Sequence, residues 1–113
     1  MSDCVFCKIV RGELPCDKVY EDGLILAFND ISPAAPTHIL FITKEHICSA
    51  ANVSADNSAV IGHIFTKIAQ IAASKGLADG FRVITNSGPY ANQTVPHLHF
   101  HLMGGRRLDL KLG

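Results

Sequence analysis

Three of the chain's six histidines, His97, His99 and His101, stand two residues apart in the run Val95-Pro96-His97-Leu98-His99-Phe100-His101-Leu102-Met103-Gly104-Gly105. Leu98, Phe100 and Leu102 fill the gaps. Strict alternation predicts a half-buried β-strand, because successive side chains point to opposite faces. The apolar set then faces a core, and the imidazoles form a row on the other face, ~6–7 Å apart from the strand rise. Two chemistries use such a row. His-x-His pairs chelate zinc, and three imidazoles with a water would make a catalytic metal site. Alternatively, an imidazole of pKa ~6.5 is largely unprotonated at neutral pH and can attack phosphorus. Its neighbours then donate to the phosphoryl oxygens and help the leaving group depart. The second chemistry also needs a phosphate cradle. Asn86 to Thr94, just before the row, offers amides, a carboxamide, a hydroxyl and Gly88 for close backbone approach.

A second chemical pattern opens the chain, Cys4-Val5-Phe6-Cys7. Alone, Cys-x2-Cys fits half a zinc site, a redox pair or two small buried hydrophobes. A redox pair would normally open a helix after a strand, and no strand precedes this one.

The elements that must position these groups follow from the pattern. Lys8 to Arg11 is expected as a short helical turn ended by Gly12 and Pro15. Lys18–Glu21 reads as a strand, Asp22-Gly23 as a hairpin turn, and Leu24–Asn29 as the returning strand. The latter is apolar on both faces and is expected to be central. Two prolines fix the loop from Asp30 to Pro36, and Thr37–Thr43 is a third strand. Ser54 is expected to cap a helix over about 55–75, with Asp56 in its first turn. Val60, Ile61, Ile64, Phe65, Ile68 and Ile71 form its apolar stripe, Gly76 closes it, and His63 flanks the stripe as a surface residue. Phe81–Asn86 is a fourth strand and the histidine run the fifth. The expected fold is α+β: an antiparallel five-stranded sheet with one long helix packed on it.

Composition narrows the function classes. The 113 residues fit one domain, 1–113, with a core that needs no disulfides. Ten basic and ten acidic residues cancel, and no basic run beyond Arg106-Arg107 suggests a nucleic-acid groove. No apolar run approaches the ~20 residues of a membrane span. Met1-Ser2-Asp3-Cys4 is not expected to begin a signal peptide. A cytoplasmic protein with reduced or metal-bound cysteines is expected.

The run Gln93-Thr94-Val95-Pro96-His97-Leu98-His99-Phe100-His101-Leu102-Met103 resembles the signature of the histidine triad (HIT) superfamily. Further matches are Asn29-Asp30-Ile31-Ser32-Pro33, Ala35-Pro36-Thr37-His38, Lys44-Glu45-His46 and Asn86-Ser87-Gly88. The chain looks like the Hint branch of that superfamily. Its third triad position is His101, where the nucleotidyl-transferase branch carries Gln, and this favours hydrolysis.

The resemblance implies a purine nucleoside phosphoramidase or nucleotide hydrolase acting on AMP derivatives. By motif position, His99 would be the nucleophile, His101 would contact the phosphate, and His97 and His38 would orient the nucleophile. Asp30 would accept the ribose hydroxyls. Asn86, Gln93, Thr94 and the Val95 amide would hold the phosphate or leaving group. Val5, Phe6, Phe28, Ile31 and Leu40 would sandwich the base. The position before Gln93 is commonly Gly in the family and is Asn92 here. Asn also tolerates positive φ, so the turn is expected to survive. The resemblance further implies a structural zinc on Cys4, Cys7, His46 and His97, leaving Cys16 and Cys48 as bystanders. It implies a homodimer formed through the long helix and a sheet edge, with Arg106 to Gly113 near the partner's site. The competing readings are a non-catalytic purine nucleotide-binding regulatory module and a metal-dependent hydrolase using the triad itself.

Overall fold

The computed structural model describes residues 4–111. In chain order they form α1 (Val5–Val10), β1 (Lys18–Glu21), β2 (Ile25–Asn29), β3 (Thr37–Thr43), α2 (Ala59–Ser74), β4 (Phe81–Ile84) and β5 (His99–Gly104). The five strands make one antiparallel sheet in the order β1-β2-β3-β5-β4. β2 is therefore an interior strand, as its two apolar faces require, and β3 sits at the centre.

Alternation along β2, β3 and β5 sends two apolar sets to two different covers. Ile25, Ala27, Ile39, Phe41, Leu98, Phe100 and Leu102 pack under α2, which contributes Ile64, Ile68 and Ala72. Leu26, Phe28, Leu40 and Ile42 face the other way and pack against Cys4, Phe6 and Cys7 of the α1 segment. The second cover is small, so most of that face is left for the histidines.

Helix α1 begins at Val5, not at Lys8 as expected. Cys4 is its N-cap, and the Cys4 sulfur accepts from the Cys7 N–H at 3.3 Å. The local cap recruits the whole Cys-x2-Cys pair into the first turn. Helix α2 begins later than expected, at Ala59. Ser54 does cap, but it caps a turn: its Oγ accepts from the Asp56 N–H at 3.2 Å, and Asn57 Oδ1 accepts from the Ser54 N–H at 2.8 Å. These side-chain bonds satisfy the backbone without a helix and so delay its start. At the other end, Leu77 N–H bonds to Ala72 O and Gly76 N–H to Ala73 O, with Gly76 at φ 74°. That is the 6→1, 5→2 pairing of a Schellman cap.

His63 is not a bland flank. Its Nε2 lies 2.6 Å from Asp22 Oδ2, and Tyr20 donates to the same oxygen at 2.7 Å. Asp22 Oδ1 accepts from the Leu24 and Ile25 amides. Burial acts to raise the Asp22 pKa, but these four donors outweigh it and hold the carboxyl well below its usual range. This cluster bolts α2 to the β1–β2 turn.

Candidate active site

Register brings the histidines together. On the face away from α2, His38, Leu40 and Ile42 of β3 lie opposite Met103, His101 and His99 of β5. The His38 and His101 rings meet diagonally across that pair, with centroids 5.2 Å apart, and the His99 and His101 rings are 5.1 Å apart. The expected row of three is corrected in one respect. β5 starts at His99, and His97 sits in the bend before it, where its N–H bonds to Val95 O at 2.8 Å. Leu98 N–H is taken by Ile47 O, outside the sheet ladder. His97 is wholly buried and its ring turns toward the cysteines.

The backbone decides where each ring carries its proton. A neutral imidazole has one N–H and one lone pair. Ala34 donates its N–H to His38 Nδ1 at 3.0 Å. His38 must then carry its proton on Nε2, which donates to His101 Nδ1 at 2.9 Å. That leaves the His101 proton on Nε2. His99 Nδ1 faces the His97 carbonyl at 2.7 Å and must donate to it, so His99 Nε2 bears a free lone pair. His97 Nε2 likewise donates to the Thr43 carbonyl at 2.7 Å, and its Nδ1 lone pair points to Cys4 Sγ at 3.3 Å and Cys7 Sγ at 3.6 Å.

The electrostatics agree with neutral rings. Burial lowers the pKa of His38, and Asp30, with Oδ2 3.5 Å away, only partly offsets it. Burial also lowers that of His97, aided by His46 and His99 against the Thr43 bond. For His101, burial and then the neighbouring His99 and His38 push the value down to about 4.

The remaining predicted site residues gather around this core with different degrees of cover. Phe6 of α1 stands edge-on to His99, ring centroids 5.1 Å apart, and to Phe28 at 5.7 Å. Phe28 and Leu40 share its apolar cluster, with Val95 packed alongside. Val5 and Ile31 are 47% and 96% exposed, so both have surface free for a ligand and little to pack against. Asp30 lies beside His38, and its Oδ1 accepts from the Ser32 N–H at 2.7 Å. Asn86 is half-buried just past β4, whose Ile84 pairs with His101. Thr94 is exposed. The Gln93 carboxamide is spent on the loop itself: Oε1 accepts from Gly88 N–H at 2.8 Å, and Nε2 donates to Cys48 O and Val95 O. Asn92 sits at φ 59°, the left-handed conformation expected there.

Among the described residues two groups of ligand-type side chains converge, each with its donor atoms within 4.8 Å of one another. The first is Cys4, Cys7, His46 and His97. Bonds of about 2.3 Å to sulfur and about 2.0–2.1 Å to nitrogen at a tetrahedral angle set such ligands about 3.5 Å apart. The sulfur–nitrogen distances are 3.2 Å for Cys7–His46, 3.3 Å for Cys4–His97 and 3.6 Å for Cys7–His97. The set fits zinc. The second group is Asp30, His38 and His101. It fits poorly, because the His38 Nε2 that faces the others carries a proton. The triad as a joint chelator fares no better: His97 points its lone pair at the cysteines and His99 points its own elsewhere.

Sequence reasoning missed the groups that set these tautomers, the Ala34 amide and the Thr43 carbonyl. They are main-chain atoms and leave no mark in residue type. It also missed Thr85, whose hydroxyl donates to the His99 carbonyl at 2.7 Å and pins the strand.

Comparison with known proteins places the chain. Residues 11–108 match the HIT domain model. An uncharacterized HIT-like protein of Synechococcus elongatus is 49% identical over 107 residues, 95% of this chain and 94% of that protein. The purine nucleoside phosphoramidase of Escherichia coli K12 is 47% identical over 108 residues, 95% and 91% of the two chains. Among solved structures, a HIT family hydrolase from Clostridium thermocellum superposes with a TM-score of 0.95 at 43% identity, over 99% of this chain and 98% of that one. With the histidine pattern, the fold and these relatives in agreement, the chain belongs to the HIT domain family.

Proposed function

We propose that this protein is a purine nucleoside phosphoramidase, a hydrolase of AMP derivatives working through a covalent nucleotidyl-histidine intermediate. The observation that carries the reading is the tautomer of His99: its Nδ1 proton is committed to the His97 carbonyl, which leaves Nε2 as a free nucleophile. In the first step Nε2 attacks the α-phosphorus and the phosphorus–nitrogen bond breaks. The amine departs with the bonding pair and takes a proton from solvent. In the second step water attacks the same phosphorus, the phosphorus–Nε2 bond breaks, AMP leaves, and the water's proton returns to solvent.

His101 Nε2–H donates to a non-bridging oxygen as charge develops there. His38 acts through His101 by filling its Nδ1, which keeps the donor on the side of the substrate. Asp30 is the acceptor for the ribose hydroxyls, and Phe6, Phe28, Leu40, Val5 and Ile31 form the apolar surface for a purine. Asn86, Thr94 and the Val95 amide hold the phosphate. Gln93 contributes indirectly by fixing the Gly88–Val95 loop.

Cys4, Cys7, His46 and His97 would hold a structural zinc. When bound it supplies a cross-link between the N-terminal helix and the entrance to β5. His97 then works at both ends: its ring belongs to that set and its carbonyl holds the His99 proton. No residue outside that set is expected to touch the metal when it is seated.

As to assembly and location, we propose a homodimer through α2 and a sheet edge. Among the described residues no helix is long and apolar enough to cross a membrane, which suits the expected cytoplasmic location. The relative named as a phosphoramidase supports the substrate class.

The decisive experiment uses adenosine phosphoramidate with the wild type and His99→Gly. The variant should fold normally, keep nucleotide binding and lose turnover, and acid-quenched wild type should carry labelled AMP on His99. Near-normal turnover by folded His99→Gly would refute the covalent route. Binding without turnover in the wild type itself would favour the regulatory-module reading.

A further inference from the structure

The thiol of Cys48 has no part in the chemistry above, yet it stands against one of the four proposed metal ligands. Its Sγ lies 3.5 Å from His46 Nε2. The opposite nitrogen of the same ring, Nδ1, lies 3.2 Å from Cys7 Sγ. His46 therefore shows one nitrogen to the inner ligand set and the other to an outer thiol.

Burial is graded along this line. Cys48 is exposed and His46 half-buried, while Cys7 and His97 are 8% and 0% exposed. A cavity of about 360 Å³ lined by Cys4, His46, Cys48, Thr94 and Val95 opens on the same ring. The Cys48–His46 separation also equals the ~3.5 Å between a sulfur and a nitrogen on one tetrahedral zinc-like ion. A closed four-ligand site exchanges its ion slowly unless an incoming ligand replaces an outgoing one. The thiol and the outer ring nitrogen line the same cavity as Cys4, so an ion can gain two bonds there before it reaches the inner ligands.

We propose that His46 and Cys48 form an outer two-ligand station through which a thiophilic divalent cation enters and leaves the inner site. The proposal rests on the reading of Cys4, Cys7, His46 and His97 as a metal site. On arrival the ion bonds to Cys48 Sγ and His46 Nε2, and the thiol's proton goes to solvent. His46 then carries its own proton on Nδ1. Transfer inward forms bonds to the Cys7 and Cys4 sulfurs, whose protons also go to solvent, and to His97 Nδ1. The bonds to Cys48 and His46 Nε2 break, and the ring binds instead through Nδ1. Cys48 regains a proton, and the His46 proton moves by way of solvent from Nδ1 to Nε2. Because a neutral imidazole has one lone pair, His46 serves one station at a time. Once the ion is seated, Nε2–H donates to Cys48 Sγ, the contact seen in the structure.

The test uses the full chain as wild type, Cys48→Ser and Cys48→Ala, loaded with Co²⁺, whose visible and sulfur-to-cobalt bands report the ligand set. Uptake is followed by stopped-flow absorbance, release by transfer to a chromogenic chelator, and affinity by competition. Both variants should bind one ion per chain with the wild-type spectrum and affinity. Uptake and release should both slow, and by the same factor. A changed path alters both directions by one factor and leaves their ratio alone. Exchange at the wild-type rate would overturn the station while leaving the inner site standing. So would a changed affinity with unchanged uptake, which would make Cys48 only an acceptor for His46. Failure of the wild type to give the thiolate-cobalt spectrum would overturn the four-ligand reading, and the station with it.

Discussion

Replacing His101 by Gln should remove a large part of the protein's sensitivity to mild acid. His101 titrates near 4 in the folded chain, against ~6.5 for a free imidazole. Above the higher value neither state binds a proton there, and below the lower value both do. Between them only the unfolded chain is protonated, so stability falls as pH falls across the interval. The cause is local. A proton added at His101 Nδ1 would face the N–H of His38 Nε2 at 2.9 Å, and the bond between them would have to break. Crossing the whole interval costs about 3 kcal/mol, of which about 2 kcal/mol is lost between pH 7 and pH 5. Gln does not titrate, and its carboxamide can accept from His38 and still donate outward. Urea denaturation of wild type and His101→Gln at the two pH values gives the difference directly. Acid also competes for the Cys4, Cys7, His46 and His97 ligands, but both proteins share that loss and it cancels. Parallel pH dependence in the two proteins would refute the lowered His101 pKa and the neutral ring reasoned from it.

Three further outcomes follow from other parts of the structure. Gly105→Ala should lower stability by about 1–3 kcal/mol in thermal denaturation, since φ is 98° and a Cβ would come within 2.9 Å of Pro36 Cβ. Asn92→Gly should be nearly neutral while Asn92→Val costs about 1–2 kcal/mol, because the residue sits at φ 59°. His38→Phe should lower kcat on the order of a hundredfold with a smaller change in KM, as His101 loses the donor that fixes its proton; the pH profile should shift with it, which a merely structural loss would not produce.

Strands β1 and β3 were legible residue for residue in Lys18–Glu21 and Thr37–Thr43, because short apolar runs bounded by Asp22-Gly23, two prolines and Lys44 leave few alternatives. The start of α2 was not legible. Ser54 carries the chemistry of a cap, and only the competing bonds among Ser54, Asp56 and Asn57 reveal that a turn uses it first. Residue types and spacing named the histidines and cysteines, but not the direction of any lone pair. That direction depends on carbonyls and amides delivered from distant positions, such as Thr43 O to His97. Cys48 illustrates the same limit in reverse: two residues from His46 in sequence, it gains meaning only when α1 brings Cys7 to the other side of the ring.

The Ala34 amide, the Thr43 carbonyl and the His97 carbonyl assign the protons of His38, His97 and His99 without help from any other side chain. The acid–base inventory of the pocket is thus written into the path of the main chain. On the proposed route, surrounding side chains can be exchanged to suit a different base or amine while the His99 nitrogen keeps its electron pair, so that retuning what the pocket accepts does not require rebuilding how it reacts.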